Sequence, residues 1–211
     1  MRRVVTAFFV ATVGTAVLGG TAQAATLTIT PDKACYLPGE QPIVDGAGFT
    51  PGGGVDATFT GHSGRVFADP AGAIALQLTF PTVKGVKRLP VTATDATNPA
   101  LTATLKLATT TPHLDVTPKH AKAGKKLRIK GSGMLGGRKV YMHVRGPHHF
   151  KTDTKVASTK PPCGTFKTRR TIVPAGARAG AYTVLFDAKK KFSKKTEPQL
   201  GGTLTVTKTF G

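Results

Sequence analysis

Basic side chains are concentrated in the second half of this 211-residue chain. Residues 112–211 contain 22 Lys or Arg against four Asp or Glu, a net charge of +18, whereas residues 25–111 contain six of each kind and are neutral. A charge excess of this size is larger than solubility alone requires, and it attracts polyanions in a salt-dependent way. The composition therefore predicts electrostatic binding of an anionic polymer by the second half.

The cations of the second half fall into two groups, one on predicted strands and one in predicted loops. Arg128 and Lys130 lie two residues apart on one strand and therefore point to the same face. Lys167 and Arg169 do the same on another strand, and Arg170 then breaks the alternation, which indicates a bulge or an edge strand. The residues predicted to bind the polyanion, at one pole and on one face, are Arg138, Lys139, Lys167, Arg169, Lys189, Lys190, Lys191, Lys194 and Lys195.

The histidines are the residues whose type would suit a metal site. His143, His148 and His149 are close in sequence, but the acids expected nearby are only Asp115 and Asp153. A metal ion needs three or four converging ligands, and the surrounding cations oppose its binding. We therefore expect exposed histidines on a strand and a loop, and neither a metal nor another cofactor.

Catalytic chemistry has no recognisable site in this sequence. Nucleophilic catalysis requires a serine or cysteine with a base and an orienting acid, and no serine lies in a nucleophile-elbow motif. Glycosidase chemistry requires a pair of carboxylates, and the four acids of the second half are widely spread. The sequence predicts a protein that is not an enzyme.

The elements that position these residues are predicted to be strands, because apolar and polar residues alternate with period two throughout. A short segment also occurs twice: Gly46-Ala47-Gly48-Phe49 aligns without a gap on Gly131-Ser132-Gly133-Met134, together with the strands on either side. This repeat indicates two copies of one supersecondary plan. We expect the glycines to supply positive φ for a tight turn, and Phe49 and Met134 to cover the end of each core.

Longer segments carry a family resemblance. Residues 26–108, through TLTITPDKACYLPGEQPIVDGAGFTPGGGVDATF, ADPAGAIALQLTF and LPVTATDA, resemble immunoglobulin-like repeats of secreted and surface proteins of actinobacteria. The second half, through KVYMHVRGPHHF, STKPPCGTFKTRR and VPAGARAGAYTVLFD, resembles uncharacterised basic secreted domains of the same lineage. The resemblance implies an all-β protein of two tandem immunoglobulin-like antiparallel β-sandwiches, residues 25–111 and 112–211, without implying any established chemistry.

The two cysteines lie one in each half, so neither half can hold a disulfide of its own. With immunoglobulin-like order, Cys35 and Cys163 fall at poles that face each other, and an interdomain disulfide is compatible with export. The basic domains that the second half resembles carry this cysteine without a regular partner, which favours a lone or intermolecular thiol. Both alternatives stay open at the level of sequence.

The first residues have the pattern of a secretory signal peptide. Arg2 and Arg3 precede an apolar run over residues 4–18, and Ala22 to Ala24 form a small-residue cleavage site. The run is shorter than a membrane span requires. We predict that residues 1–24 are removed and that the mature protein has no transmembrane segment. The mature protein is predicted to be secreted, either free or associated with the cell wall.

Export favours an anionic cell-wall or extracellular polymer as the partner of the basic second half. Nucleic acid is not expected, since single-strand binding usually adds stacking aromatic residues, and the second half has few of them. The neutral first half is predicted to act as a spacer or as a contact for a protein partner. A second hypothesis is a small-molecule carrier, because the Gly-x-Gly turns resemble those of actinomycete apoproteins that hold antibiotic chromophores. An enzyme with an unrecognised site is a third.

Overall fold

The computed structural model of this protein describes residues 24–135, 139–193, 195 and 199–207. Within these ranges the chain forms β-strands and no helix, and the predicted all-β class is confirmed. In the same ranges we find no helix with the length and apolar character needed to cross a membrane. The predicted leader lies outside the described residues except for Ala24.

Fifteen strands are defined in the described ranges. Those of the first half are β1 (Thr26–Thr30), β2 (Ile43–Ala47), β3 (Gly54–Phe59), β4 (His62–Phe67), β5 (Ile74–Gln77), β6 (Val86–Asp95) and β7 (Thr102–Thr110). Those of the second half are β8 (His113–Thr117), β9 (His120–Lys122), β10 (Lys126–Ser132), β11 (Lys139–Arg145), β12 (Lys151–Ser158), β13 (Phe166–Thr171), β14 (Gly180–Asp187) and β15 (Leu200–Thr207).

The strands form four sheets, two in each half of the chain. Sheet A has the order β1-β2-β5 and sheet B the order β4-β3-β6-β7. Sheet C, with the order β8-β10-β13, and sheet D, with the order β12-β11-β14-β15-β9, repeat this arrangement in the second half. Neighbouring strands are antiparallel except for β9 and β15, which pair in parallel.

Each half has its own hydrophobic core. One cluster contains residues from sheets A and B, with Val44 and Val91 both fully buried. The other contains residues from sheets C and D, with Ile129 and Val144 fully buried. Because side chains alternate along a strand, burying these apolar residues turns their polar neighbours outward. The alternation in the sequence therefore determines which face of each sheet carries the charges.

The repeated Gly-x-Gly segment serves two different physical purposes. The second glycine of each copy, Gly48 or Gly133, has φ near +80°, as expected for a tight turn. The first glycine lies within a strand instead, and a Cβ atom at Gly131 would overlap the ring of Phe166. The prediction that both glycines supply positive φ is therefore wrong for the first one, which is required for close packing. Met134, at 1% exposure, covers the end of the core as predicted.

A short junction connects the two halves. The strand β7 ends at Thr110 and β8 begins at His113, and the hydroxyl of Ser132 donates a hydrogen bond to the carbonyl oxygen of Thr111 (3.2 Å). The structure joins Cys35 to Cys163 by a disulfide across this junction, with their Cα atoms 5.1 Å apart. Of the two alternatives that the sequence leaves open, the structure has the bridge, and both cysteines are buried.

Candidate functional site

The outward face of sheet C carries cations in directly opposed pairs. In the antiparallel register of β10 and β13, Arg128 lies opposite Arg169 and Lys130 lies opposite Lys167. All four side chains are exposed, as is Lys126 at the start of β10. We call these five residues the basic face.

The alternation of β10 explains why these cations point outward. Leu127 and Ile129, at 2% and 0% exposure, pack into the core between sheets C and D. The residues between and beside them must therefore face solvent, and they are Lys126, Arg128 and Lys130.

The third strand of sheet C neutralises little of this charge. Asp115 lies opposite Lys130, and Thr117 lies opposite Arg128. The carboxylate of Asp115 accepts a hydrogen bond from the Thr117 hydroxyl (2.8 Å). Within the described part of the chain, no member of the basic face has a carboxylate oxygen within 4.0 Å. The face therefore presents its positive charge to solvent.

The corresponding face of the first half, on sheet A, carries different types of residue at the equivalent positions of the strand pairing. Gly46 pairs with Ile74 as Gly131 pairs with Phe166, so the residues that correspond to the opposed cations can be read from the strand pairing. They are Ile43 and Gln77 in one pair, and Asp45 and Ala75 in the other. Sheet A thus has no cation at any of the four positions, and the basic face is a property of the second half alone.

Arg170 occupies an edge strand, one of the two alternatives that its break in the alternation indicated. The strand β13 forms one edge of sheet C, and its register with β10 has no irregularity. Arg170 lies opposite Leu127 on the side of the sheet that faces the core, yet it remains exposed because the edge is open. A bulge is excluded as the explanation.

The predicted basic pole lies at one end of sheet D. Lys139 begins β11, and the pairing of Tyr141 with Asp187 brings the end of β14 beside it. Three exposed lysines come after β14 and Ala188, and Lys195 is also exposed. Those three are Lys189, Lys190 and Lys191. Arg138 and Lys194 lie outside the described residues.

An aromatic contact anchors the basic loop after β14 to the outward face of sheet D. The ring centroid of Phe192 lies 5.6 Å from that of His143, and the guanidinium carbon of Arg145 lies 4.9 Å from the Phe192 centroid. His143 and Arg145 alternate with buried Val144, so they belong to the outward face. The structure therefore separates the predicted site residues, because the core lies between this anchor and the basic face that contains Lys167 and Arg169.

His143 is buried, and the prediction that it is an exposed histidine is wrong. It has 0% exposure and lies between two carboxylates, with Nδ1 2.9 Å from Asp153 Oδ1 and Nε2 3.0 Å from Asp187 Oδ1. Asp187 was not among the acids expected near the histidines. It is 44 residues away in sequence, and only the pairing of β11 with β14 brings it close.

The two ring nitrogens of His143 both face carboxylate oxygens. Such a contact is attractive when a proton lies between the two atoms. Arg145 adds a contact of 2.8 Å to Asp153. Burial raises the pKa of the Asp153 carboxyl, but the hydrogen bonds from Arg145 and His143 lower it more, so the pKa lies below its ordinary value.

This cluster is not arranged as an active or a metal site. Both nitrogens of His143 are committed to carboxylates, and its side chain is not accessible to a substrate. Among the described residues, no group of three or more His, Cys, Asp or Glu side chains is arranged to hold a metal ion. The arrangement instead connects β11, β12 and β14 and supports the anchor of the basic loop.

The first half contains an open cleft between the edges of its two sheets. Its volume is about 350 Å³, and residues of β3, β4 and β5 line it. Phe59, Leu76 and Leu78 supply apolar surface, and Arg65 and His62 supply polar groups. The size is at the lower end of the range for small-molecule sites.

No protein-family model and no curated protein significantly matches this chain.

Proposed function

We propose that this is a secreted, non-catalytic binding protein whose basic second half associates with anionic polymers of the cell envelope or the extracellular medium. In this proposal residues 1–24 are a cleaved signal peptide, and residues 25–111 and 112–211 are two tandem immunoglobulin-like β-sandwiches. The repeated strand order and the two separate cores support that architecture.

The observation that carries the proposal is the pairing of cations on the basic face. Arg128 faces Arg169 and Lys130 faces Lys167 across neighbouring strands, without ion-pair partners in the described ranges. Like charges placed directly opposite each other destabilise a sheet. A bound polyanion would remove this repulsion. The opposed cations are therefore better explained by a role in binding than by a role in stabilising the sheet.

The first half has the properties of a spacer or a protein-contact module. Its outward charges are few and partly paired, as in the contact between Arg65 and Asp56 (2.7 Å). The disulfide between Cys35 and Cys163 holds it against the basic half. In the proposal, this fixes the distance between the basic face and whatever the first half contacts.

The test is retention of the full-length protein on immobilised heparin across a series of salt concentrations. Lys130→Gln/Lys167→Gln should elute at clearly lower salt than the wild type, because two adjacent cations of the basic face are lost. The matched control is Lys84→Gln/Lys87→Gln, which removes two exposed lysines from the first half. Equal elution of the two variants would count against the basic face as the binding surface.

The cleft between β4 and β5 favours a small-molecule carrier as the second candidate. An aromatic ligand would lie against Phe59 and Leu78, which line the cleft together with Arg65. Equilibrium dialysis of the wild type and a Leu78→Arg variant against a panel of aromatic anions tests it. Binding that the variant loses supports a carrier, whereas no binding to the wild type at millimolar concentration excludes this class.

A further inference from the structure

The basic face has a regular spacing along the strand direction. Its cations form three rows, and each row is two residues further along β10 than the one before. The first row is Lys126 opposite Thr171, the central row is Arg128 opposite Arg169, and the end row is Lys130 opposite Lys167. Because a strand rises about 3.4 Å per residue, the rows repeat every ~6.8 Å.

This spacing has a direct chemical counterpart. Two residues of extended chain contain six backbone bonds, so a polymer that carries one charge per six backbone bonds has nearly the same repeat when extended, about 7 Å. A phosphodiester of glycerol is such a polymer, with its phosphates separated by three carbons and two ester oxygens. Polyphosphate, with a charge at every second bond, is spaced at about a third of that length.

The separation of the two strands also suits a phosphate. β10 and β13 are about 4.8 Å apart, so the two cations of the central row, or of the end row, can contact one phosphate from both sides. In the central row both cations are arginines, whose planar guanidinium groups bind phosphate oxygens in pairs. The polymer would then lie along the strands with one phosphate in each row.

The side chains of this face also distinguish between polymers with the same repeat. Single-stranded nucleic acid has six backbone bonds per phosphate as well, but its binding sites usually stack bases on aromatic rings. The outward positions directly opposite the cations on β8 and β13 are Asp115, Thr117 and Thr171, and the described outward face has no Phe, Tyr or Trp; its one ring is the exposed imidazole of His113, one row beyond Lys130. The face therefore suits a phosphodiester chain without bases.

We infer that the basic face binds an extended polyphosphodiester with a six-bond repeat, with one phosphate at each row. That phosphate lies beside Lys126 in the first row and between the paired cations in the central and end rows. This inference rests on the proposed function and specifies its ligand. If the inference is right, the affinity for the polymer depends on the positions of the cations as well as on their number.

The experiment compares two variants of equal charge in one background. The background is the full-length protein with Arg128→Lys and Arg169→Lys, so that every cation removed afterwards is a lysine. One variant then has Gln at both central-row positions, and the other has Gln at both end-row positions. The central-row variant interrupts the series of rows, whereas the end-row variant leaves two adjacent rows intact.

Binding to poly(glycerol phosphate) and to polyphosphate of matched total charge is measured by titration calorimetry at fixed salt. On poly(glycerol phosphate), the central-row variant should bind about tenfold more weakly than the end-row variant, since it alone breaks the register of charge-assisted contacts. On polyphosphate the two variants should bind equally, because its charges are closer together than the rows.

The other outcomes separate the inference from the function on which it rests. If both variants are weakened equally on both polymers, the spacing argument is wrong, while polyanion binding by this face stands. If neither variant is weakened, the face is not the site and the proposed function fails with it. If oligo(dT) of equal charge binds the wild type more tightly than poly(glycerol phosphate), the ligand is a nucleic acid and the inference is overturned.

Discussion

Arg128 and Arg169 lie directly opposite each other on neighbouring strands of sheet C, and both side chains are exposed. Two guanidinium groups in this position repel each other, and no carboxylate among the described residues lies within 4.0 Å of either. In the first half the same register holds Ile43 and Gln77. The repeat thus shows that the fold does not require cations at this position.

The opposed arginines predict that stability and binding change in opposite directions. Arg169→Thr should raise the free energy of unfolding by about 0.2–1 kcal/mol, because it removes a like-charge pair and introduces a residue that favours strands. The same variant should elute from heparin at lower salt. Urea denaturation checks the first effect, and a loss of more than about 1 kcal/mol would mean that Arg169 has a structural role.

The burial of His143 predicts a large effect for its removal. His143→Leu leaves the buried carboxylate of Asp187 with the backbone N–H of Lys189 as its remaining described hydrogen bond, and removing one partner of a buried pair of this kind costs about 3–5 kcal/mol. His143→Leu/Asp187→Leu should recover part of that loss, because no unpaired charge remains. Urea denaturation of the single and double variants measures both values.

An exposed histidine provides the control for this prediction. His149 is exposed and has φ of +60°, a conformation that Asn tolerates. His149→Asn should change stability by less than about 0.5 kcal/mol. If His143→Leu behaves like this control, the account of the buried cluster is refuted.

Asp95 predicts a loss of stability at acid pH. Its carboxylate accepts hydrogen bonds from the Thr97 hydroxyl (2.7 Å) and from the backbone N–H of Thr50 (2.7 Å), and these bonds lower its pKa well below the ordinary value. A carboxyl with a lowered pKa in the folded state contributes stability that is complete above its unfolded pKa of about 3.9 and is lost as the pH falls below it.

The matched variant for this prediction is Asp95→Asn. It should be less stable than the wild type at pH 7, and the difference should shrink as the pH is lowered from about 5 toward 2, where the wild-type carboxyl begins to lose its advantage. Urea midpoints across this range measure the difference. A difference that does not depend on pH would show that the Asp95 charge contributes nothing.

The disulfide predicts the thiol content and a part of the stability. Under denaturing, non-reducing conditions the protein should show no free thiol, since Cys35 and Cys163 are bridged. The bridge spans 128 residues, and in the chain-entropy model a loop of this length contributes on the order of 5 kcal/mol if both halves unfold together. Cys35→Ser/Cys163→Ser should therefore lower the urea midpoint, and two free thiols in the wild type would contradict the structure.

The sequence was sufficient for the all-β class and for the direction of most side chains on the strands with an apolar alternation, but not for strands such as β4 and β12. Alternation placed Lys167 and Arg169 outward, because the core must bury their apolar neighbours. It did not predict that Arg169 faces Arg128, since the register between β10 and β13 depends on how 40 residues fold between positions that are far apart in sequence.

The buried cluster was missed for the same physical reason. His143 lies on the polar side of its strand, where alternation predicts exposure, and Asp153 is the only one of its partners that is near in sequence. Burial arises because Phe192 returns over the face and Asp187 approaches from β14. An unusual signal was present, because Asp187 is an acidic residue at the end of an apolar stretch. Nothing local in the sequence connected it to His143.

The most direct test of the central claim is the salt dependence of binding to an anionic polymer for two variants of equal charge. One has Gln at Arg128, Lys130, Lys167 and Arg169, and the other has Gln at Lys189, Lys190, Lys191 and Lys195. If the basic face is the site, the slope of log K against log salt should become less steep by about 3 for the first variant, at about 0.7 per lost contact, and by much less for the second. Equal slopes for the two variants, or an unchanged slope for the first, would contradict the claim.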